Sequence, residues 1–233
     1  MDPFRPFSLT HACTLLCVAA IIARAVYYGR NQKEQSTPTG FERALAFINI
    51  AVWLASHGYW QMPARFDPII TLPLQICHIT SLIASAVLIT RHCTLRAILY
   101  FWAFALCTQA MITPSLVDPP TSLVFWAFWY LHGFIMLTAI YDMAVRGFRP
   151  AWRDYGIACA ASATYVAVVM PIDLLLGANY GFLGKSTALH PSIIDLLGPW
   201  PQRLLIIVPL AALAMLLTMM PWVMAERRAR RRS

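Results

Sequence analysis

Long runs of apolar residues alternate with short polar stretches along the whole chain. Seven runs can be counted, at residues 8–28, 41–60, 69–90, 95–113, 122–145, 154–176 and 203–224. Each is close to the roughly 20 residues that an α-helix needs to cross about 30 Å of hydrocarbon. The pattern predicts an all-α membrane protein, in which residues 1–233 form a single polytopic domain, a bundle of seven transmembrane helices.

The connection at residues 177–202 differs from the other, shorter connections. It is too rich in glycine, proline and polar residues to be another span, yet four of the five residues at 193–197 are apolar. A long ordered loop of this kind can fold over a bundle as a lid or a binding loop. A plain connector is the alternative interpretation.

Composition agrees with the membrane class and excludes others. The chain is 59% hydrophobic and 12% charged, with a mean hydropathy of +0.61, whereas soluble domains are about a quarter charged. The net charge of +8 lies mostly in short caps between apolar runs, so it does not indicate nucleic-acid binding. The six cysteines form no CxxC pair, and the sequence predicts no metal and no other cofactor.

The positive residues are distributed unevenly between the two ends of the runs. Most lie at the first, third and fifth connections or in the C-terminal tail: Arg24, Arg30, Lys33, Arg43, Arg91, Arg96, Arg146, Arg149, Arg153, Arg227, Arg228, Arg230, Arg231 and Arg232. Cytoplasmic loops carry the excess of Lys and Arg, so the N-terminus is predicted outside and the C-terminus in the cytoplasm. The predicted location is the cell (inner) membrane. A signal peptide cleaved near Ala23–Ala25 is the alternative for the first run, but it would leave Arg43 on the outer side.

Asp142 precedes Arg146 by four residues, which predicts an ion pair at the inner interface.

Three polar side chains fall inside the predicted spans at one depth. Counted from the arginine that marks the inner boundary of each span, Cys77 and His132 lie 14 residues away and Gln109 lies 13 residues away. At about 1.5 Å per residue, all three are about 20 Å from that boundary. Polar groups inside a membrane are costly, so this layer is the strongest candidate site in the sequence.

A cysteine, a histidine and an amide at one depth can support nucleophilic acyl chemistry. The thiolate attacks an acyl carbonyl, the imidazole takes or returns the proton, and the amide donates to the developing oxyanion. Cys77 and His78 cannot be the working pair, because neighbours on a helix point about 100° apart. The base must come from another helix, and His132 meets that requirement. Packing for the cysteine and a structural hydrogen bond for the histidine are the alternatives.

The residues that follow Cys77 suggest where it points. Small and hydroxyl side chains share its helix face, at Thr80, Ser81, Ala84 and Ser85. Such residues let transmembrane helices approach closely, so Cys77 is predicted to face the inside of the bundle.

The other polar residues give weaker signals. Asp173, near the outer end of the sixth run, could orient a histidine or cap a kink. Asn179 and Tyr180, on the outer loop, could contact a lipid head group. His57 and His92 lie near span ends and are expected to be solvated.

Several short motifs occur in a distinctive order. They are LPLQIC at Leu72–Cys77, Gln109 followed by Thr113-Pro114, His132-Gly133, Asn179-Tyr180, and LLGPWP at Leu196–Pro201, which contains Trp200. Together they resemble the motifs of the YwaF-like bacterial integral membrane proteins, over most of the chain. Gln75 stands where that family usually has a histidine.

The resemblance carries an expectation about activity. The YwaF-like family is similar to an animal multi-span protein described as a cysteine-dependent phospholipid acyltransferase, which uses a Cys and a His in two of these motifs. The resemblance implies Cys77 as nucleophile and His132 as general base. The supporting or substrate-binding candidates are Gln109, Asn179, Tyr180, Asp173 and Trp200.

The favoured function is therefore acyl transfer or hydrolysis on a membrane lipid through an acyl-cysteine. A small-molecule transporter is the first alternative, because kinked spans and a buried polar layer would serve a site at the membrane midplane. A non-catalytic scaffold or binding protein is the second, and it does not require Cys77 to meet His132.

Overall fold

In the computed structural model, which describes residues 3–32, 37–185 and 193–230, the chain is helical and contains no strand within those residues. Seven helices form its body: α1 Leu9–Arg30, α2 Gly40–Trp60, α3 Ile76–Thr90, α4 Cys93–Ile112, α5 Leu123–Ala144, α6 Trp152–Leu176 and α7 Leu204–Arg230. Two single turns, Tyr180–Phe182 and Ile193–Leu197, belong to the segment between α6 and α7. The predictions for Lys33, Arg231 and Arg232 lie outside the described residues.

Each predicted apolar run overlaps one of these helices, and five of the helices are long and apolar enough to cross a membrane. The chain is a multi-pass membrane protein. The other two are α2, in which Glu42, Arg43 and Asn49 interrupt the apolar sequence, and α3, which has only 15 residues. The expected span 69–90 is thus wrong at its start, because Pro73 and its neighbours form turns before the helix begins.

Helix α3 lies at the centre of the bundle, where it packs against α2, α4 and α5. Helix α1 covers α5 on one side, while α6 and α7 cover α4 on the other. Two apolar cores result, one around α3 and α5 and the other between α4, α6 and α7.

Helix α4 is not regular along its length. Residues Trp102–Cys107 form a π-helical segment, which inserts an extra residue into the helical repeat and often marks a functional site. Cys107 is the last residue of that segment and is buried. The sequence pattern did not predict this irregularity.

Charged side chains from several helices meet at one end of the bundle, which we call the arginine end. Glu42 is buried there and pairs with Arg91 and Arg146. Asp142 pairs with Arg96, whose Nε lies 2.8 and 3.0 Å from the two carboxylate oxygens. The predicted pair between Asp142 and Arg146 is therefore wrong, because each side chain has its charged partner on another helix.

Candidate active site

A large cavity opens among the helices at the end of the bundle opposite the arginine end. Its volume is about 1450 Å³, which exceeds the roughly 300–1,000 Å³ of ordinary small-molecule pockets. Its wall is mostly apolar and includes Cys77, His132 and Gln109. Ile70 and Leu210 also line it and are about half exposed, so the cavity reaches the surface that faces lipid.

Cys77 is the second residue of α3, and its side chain is half-buried at the wall of this cavity. The sequence placed it in the outer half of a longer predicted span, and the structure places it in the first turn of a helix. The N–H groups of a first turn have no partner inside the helix, and the helix dipole brings partial positive charge to that end. Both features stabilise negative charge that develops at or near the sulfur.

The backbone before Cys77 is held in place by side chains from the far half of the chain. The Tyr180 hydroxyl donates to the Pro68 carbonyl at 2.8 Å and accepts from Leu72 N at 3.0 Å. Burial raises the pKa of Tyr180, so its hydroxyl keeps the proton that it donates. The Tyr165 hydroxyl donates to the Leu74 carbonyl at 2.7 Å.

Gln75 supplies a further contact to this segment. Its Oε1 accepts from Gly181 N at 3.0 Å, so the side chain ties the start of α3 to the turn after α6. Here the residue has a structural role that an amide oxygen can fill.

The His132 ring is oriented by its own helix. Its Nδ1 lies 2.8 Å from the Phe128 carbonyl, and the Phe128 ring packs beside it with centroids 4.3 Å apart. A carbonyl oxygen only accepts, so Nδ1 carries a proton and Nε2 of the neutral ring is free to accept another. The Cys77 thiol and the His132 ring are neighbours at the cavity wall and interact electrostatically.

A second thiol lies behind the first. Cys107 is buried and outside the cavity lining, and it belongs to the core against which Cys77 packs. Its sulfur also contacts the Thr80 hydroxyl at 3.9 Å. The π-helical segment that positions Cys107 has no signal in the hydrophobic pattern.

The small residues that follow Cys77 are buried, as their spacing predicted. They also bind a partner that sequence reasoning missed. Asn49 on α2 donates through Nδ2 to Ser81 Oγ at 3.1 Å and to Ser85 Oγ at 2.8 Å. These hydrogen bonds fix the face of α3 that carries Cys77.

The five supporting candidates divide into two groups. Gln109 lines the cavity, and its amide makes no hydrogen bond within the described part of the chain, so it is available to a ligand. Asn179 also lines the cavity and accepts from Arg203 at 3.3 Å. Asp173, Tyr180 and Trp200 do not line it.

The last three residues hold the outer segment together. Asp173 accepts from Tyr180 N at 2.9 Å, and Trp200 Nε1 donates to the Leu183 carbonyl at 2.9 Å. The described part of this segment folds over the bundle and contributes Gly181, Leu183 and Leu197 to the cavity wall.

Two more histidines belong to the wall of the cavity. His92 is exposed, as expected, but His57 is stacked on Trp53 and lines the cavity together with His78. The position of His57 near a span end suggested solvation. Only its spacing of four residues from Trp53 could have indicated that the two rings share a face.

The fold and the site define the class: a multi-pass helical membrane protein with a thiol and an imidazole beside an apolar cavity. The chain belongs to the TMEM164 family, whose family model matches residues 6–220. No curated protein and no solved structure matches it. Membership of the TMEM164 family agrees with the membrane class and does not specify a reaction.

Proposed function

We propose that the protein is a cysteine-dependent lipid acyltransferase or lipid hydrolase of the cell (inner) membrane. The observation that carries the proposal is that Cys77 and His132 lie beside each other at the wall of one apolar cavity that opens toward lipid. A nucleophile within hydrogen-bonding reach of a base, with the base oriented by a third group, is the arrangement of activated-cysteine enzymes.

In the first half-reaction the acyl group moves from a phospholipid ester to Cys77. His132 Nε2 takes the thiol proton, and the sulfur attacks the ester carbonyl. The C–S bond forms, the C–O bond breaks, and the leaving alkoxide takes the proton from His132. The products are a lysophospholipid and an acyl-Cys77 thioester.

In the second half-reaction a hydroxyl compound removes the acyl group. A lysolipid hydroxyl gives a new ester, whereas water gives a free fatty acid. The oxygen–carbon bond forms, the C–S bond breaks, and the acceptor proton ends on the Cys77 sulfur. Transfer and hydrolysis thus share one intermediate.

Charge on the tetrahedral intermediate requires hydrogen-bond donors at the site. The backbone N–H groups of Ile76 and Cys77, at the start of α3, and the Gln109 amide are donors that this wall offers. Removing one oxyanion donor from an enzyme typically lowers kcat about 100- to 1,000-fold. With the Gln109 amide as an oxyanion donor, we expect Gln109→Ala to lower kcat by the same factor.

Labelling with a lipid electrophile tests the proposal. The purified protein in lipid is treated with an acyl-thioester probe or a fluorophosphonate-alkyne, and the wild type is compared with Cys77→Ala and His132→Ala. Cys159→Ala is the matched control, because Cys159 lines the same cavity and no hydrogen bond to a histidine is found for it in the described part of the chain.

We expect labelling at Cys77 that is lost in Cys77→Ala, falls at least about 100-fold in His132→Ala, and is unchanged in Cys159→Ala. Labelling that spreads over other cysteines, or equal labelling of His132→Ala, would contradict the pair as a catalytic unit. A transport assay with reconstituted vesicles would then take precedence.

A further inference from the structure

The wall of the cavity contains a pair of histidines, His57 and His78, in addition to the proposed base His132. His57 on α2 and His78 on α3 lie with ring centroids 4.5 Å apart and ring planes at 89°. The proposed function uses neither of them. Both face the same cavity as Cys77 and His132.

The group is held rigidly on its α2 side. His57 stacks on Trp53 with centroids 3.9 Å apart, and its Nδ1 donates to the Trp53 carbonyl at 2.8 Å. Trp53 Nε1 in turn donates to the His78 carbonyl at 3.2 Å. Trp53 therefore ties both histidines to one place, and the His57 ring braces the His78 ring.

Within the described residues, no hydrogen bond of the His78 ring is found. Its Nδ1 is buried there without a partner, and the ring lines the cavity. A buried polar atom without a partner destabilises the fold, and such atoms in native proteins usually have an explanation. An imidazole held beside a cavity, with its hydrogen-bonding capacity unused, is suited to binding a hydroxyl group of a ligand.

We propose that His78 is the residue that receives the acyl acceptor, binding its hydroxyl group and taking its proton. This inference rests on the proposed function and assigns its second half-reaction. The ligand is defined by its chemistry as a hydroxyl, which either a lysolipid or water can supply.

His78 is next to Cys77 on α3, so its side chain points away from the sulfur. It therefore cannot activate the thiol, but it can bind a hydroxyl group beside it. Adjacent helical residues project about 100° apart, so His78 flanks Cys77 and does not face its sulfur. An acyl group attached to the Cys77 sulfur extends into the cavity. A hydroxyl group that approaches the thioester carbonyl from the side of His78 meets the His78 ring.

The step balances without another reactant. As the acceptor oxygen bonds to the thioester carbonyl, His78 takes the O–H proton, the C–S bond breaks, and the proton returns to the Cys77 thiolate. His132 thus serves formation of the acyl-enzyme, and His78 serves its breakdown.

The experiment separates the two half-reactions. The full protein in vesicles is given phosphatidylcholine with ¹³C-labelled acyl chains, either with lysophosphatidylethanolamine or in H₂¹⁸O alone. Acyl-Cys77 is measured by peptide mass spectrometry, and product formation by lipid mass spectrometry. The variants are His78→Gln, His57→Gln and His132→Gln, with the exposed His92→Gln as the matched control.

In His78→Gln we expect acyl-Cys77 to form and accumulate while product formation falls at least about 100-fold, the scale of general base catalysis. His57→Gln should show a smaller change of the same kind. His132→Gln should form no acyl-enzyme, and His92→Gln should match the wild type. The acyl-Cys77 signal also reports that His78→Gln, His57→Gln and His92→Gln have folded, and thermal unfolding in detergent checks the fold of His132→Gln.

The two arms identify the source of the hydroxyl. A loss confined to lysophosphatidylethanolamine acylation assigns a lipid hydroxyl to His78, and a loss of ¹⁸O in the released fatty acid assigns water. Product formation at the wild-type rate in both His78→Gln and His57→Gln would overturn the inference and leave the proposed function intact. A wild type that forms no acyl-Cys77 would overturn both.

Discussion

The chemistry of the site depends on a few residues whose neighbours set their orientation. The Phe128 carbonyl fixes the His132 tautomer, the first turn of α3 places Cys77 at a helix end, and Gln75 links that turn to Gly181. None of these neighbours reacts. Each of them fixes a position or an orientation that the thiol–imidazole pair requires.

Gln75→Ala should separate the start of α3 from the turn at Gly181. Losing that hydrogen bond should lower the free energy of unfolding by about 1 kcal/mol and slow lipid-electrophile labelling of Cys77. Gln75→His is the matched control, since a ring nitrogen can accept the same hydrogen bond. Labelling rates in membranes and thermal unfolding in detergent measure both effects. Equal behaviour of the two variants would contradict the role given to the Gln75 oxygen.

Among the elements, α3 carries most of the site. It is short, it is surrounded by α2, α4 and α5, and its small residues allow the polar contact with Asn49. Because lipid chains give no hydrophobic drive for helix association, close packing and interhelical hydrogen bonds hold such an element.

Asn49→Ala tests that statement. It removes the contacts to Ser81 and Ser85, and we expect the free energy of unfolding to fall by roughly 1–2 kcal/mol. Thr164→Ala is the control, because its exposed hydroxyl binds only the Ala160 carbonyl of its own helix. If both variants unfold at the wild-type temperature, the Asn49 network does not stabilise α3.

At the scale of the whole molecule, the bundle has two different ends. The arginine end is held by ion pairs of Glu42 and Asp142, and the other end contains the cavity. The asymmetry of positive charge predicts that the arginine end faces the cytoplasm, which places the cavity in the outer half of the membrane.

Fusions to the C-terminus test this orientation. We expect a C-terminal green fluorescent protein to fluoresce and a C-terminal alkaline phosphatase to be inactive, because only the first matures in the cytoplasm. The reverse pattern would show that the tail is outside and that the predicted topology is wrong.

The ion pairs themselves can be tested by removing one charge. Glu42→Gln deprives Arg146 of its buried carboxylate partner, which should cost roughly 3–5 kcal/mol of stability. Glu226→Gln, at an exposed position on α7, should change little. Thermal unfolding of the two variants in the same detergent gives the comparison, and equal unfolding temperatures would argue against a stabilising role for Glu42.

The sequence was sufficient for features that depend on the cost of polar groups in lipid. Seven apolar runs predicted the seven helices, and unusual polar residues in those runs singled out Cys77 and His132. The sequence pattern was not sufficient to predict where a helix begins, because that depends on local backbone geometry. Hydropathy does not distinguish the turns around Pro73 from a helix, so α3 was drawn too long.

Tertiary contacts were the other source of error. Asp142 and Arg146 have the spacing of a helical pair, yet Arg96 on another helix contacts both Asp142 oxygens. The cavity role of His57 likewise depends on α2 lying against α3, which no residue pattern within α2 reveals.

One measurement addresses the central claim most directly. Purified protein is incubated with phosphatidylcholine that carries deuterated acyl chains, and the peptide that contains Cys77 is weighed by mass spectrometry. We expect a mass increase equal to one acyl group, removed by neutral hydroxylamine and absent in His132→Ala. A Cys77 peptide that stays unmodified while lipid is turned over, or an acyl group found only on another residue, would contradict the account.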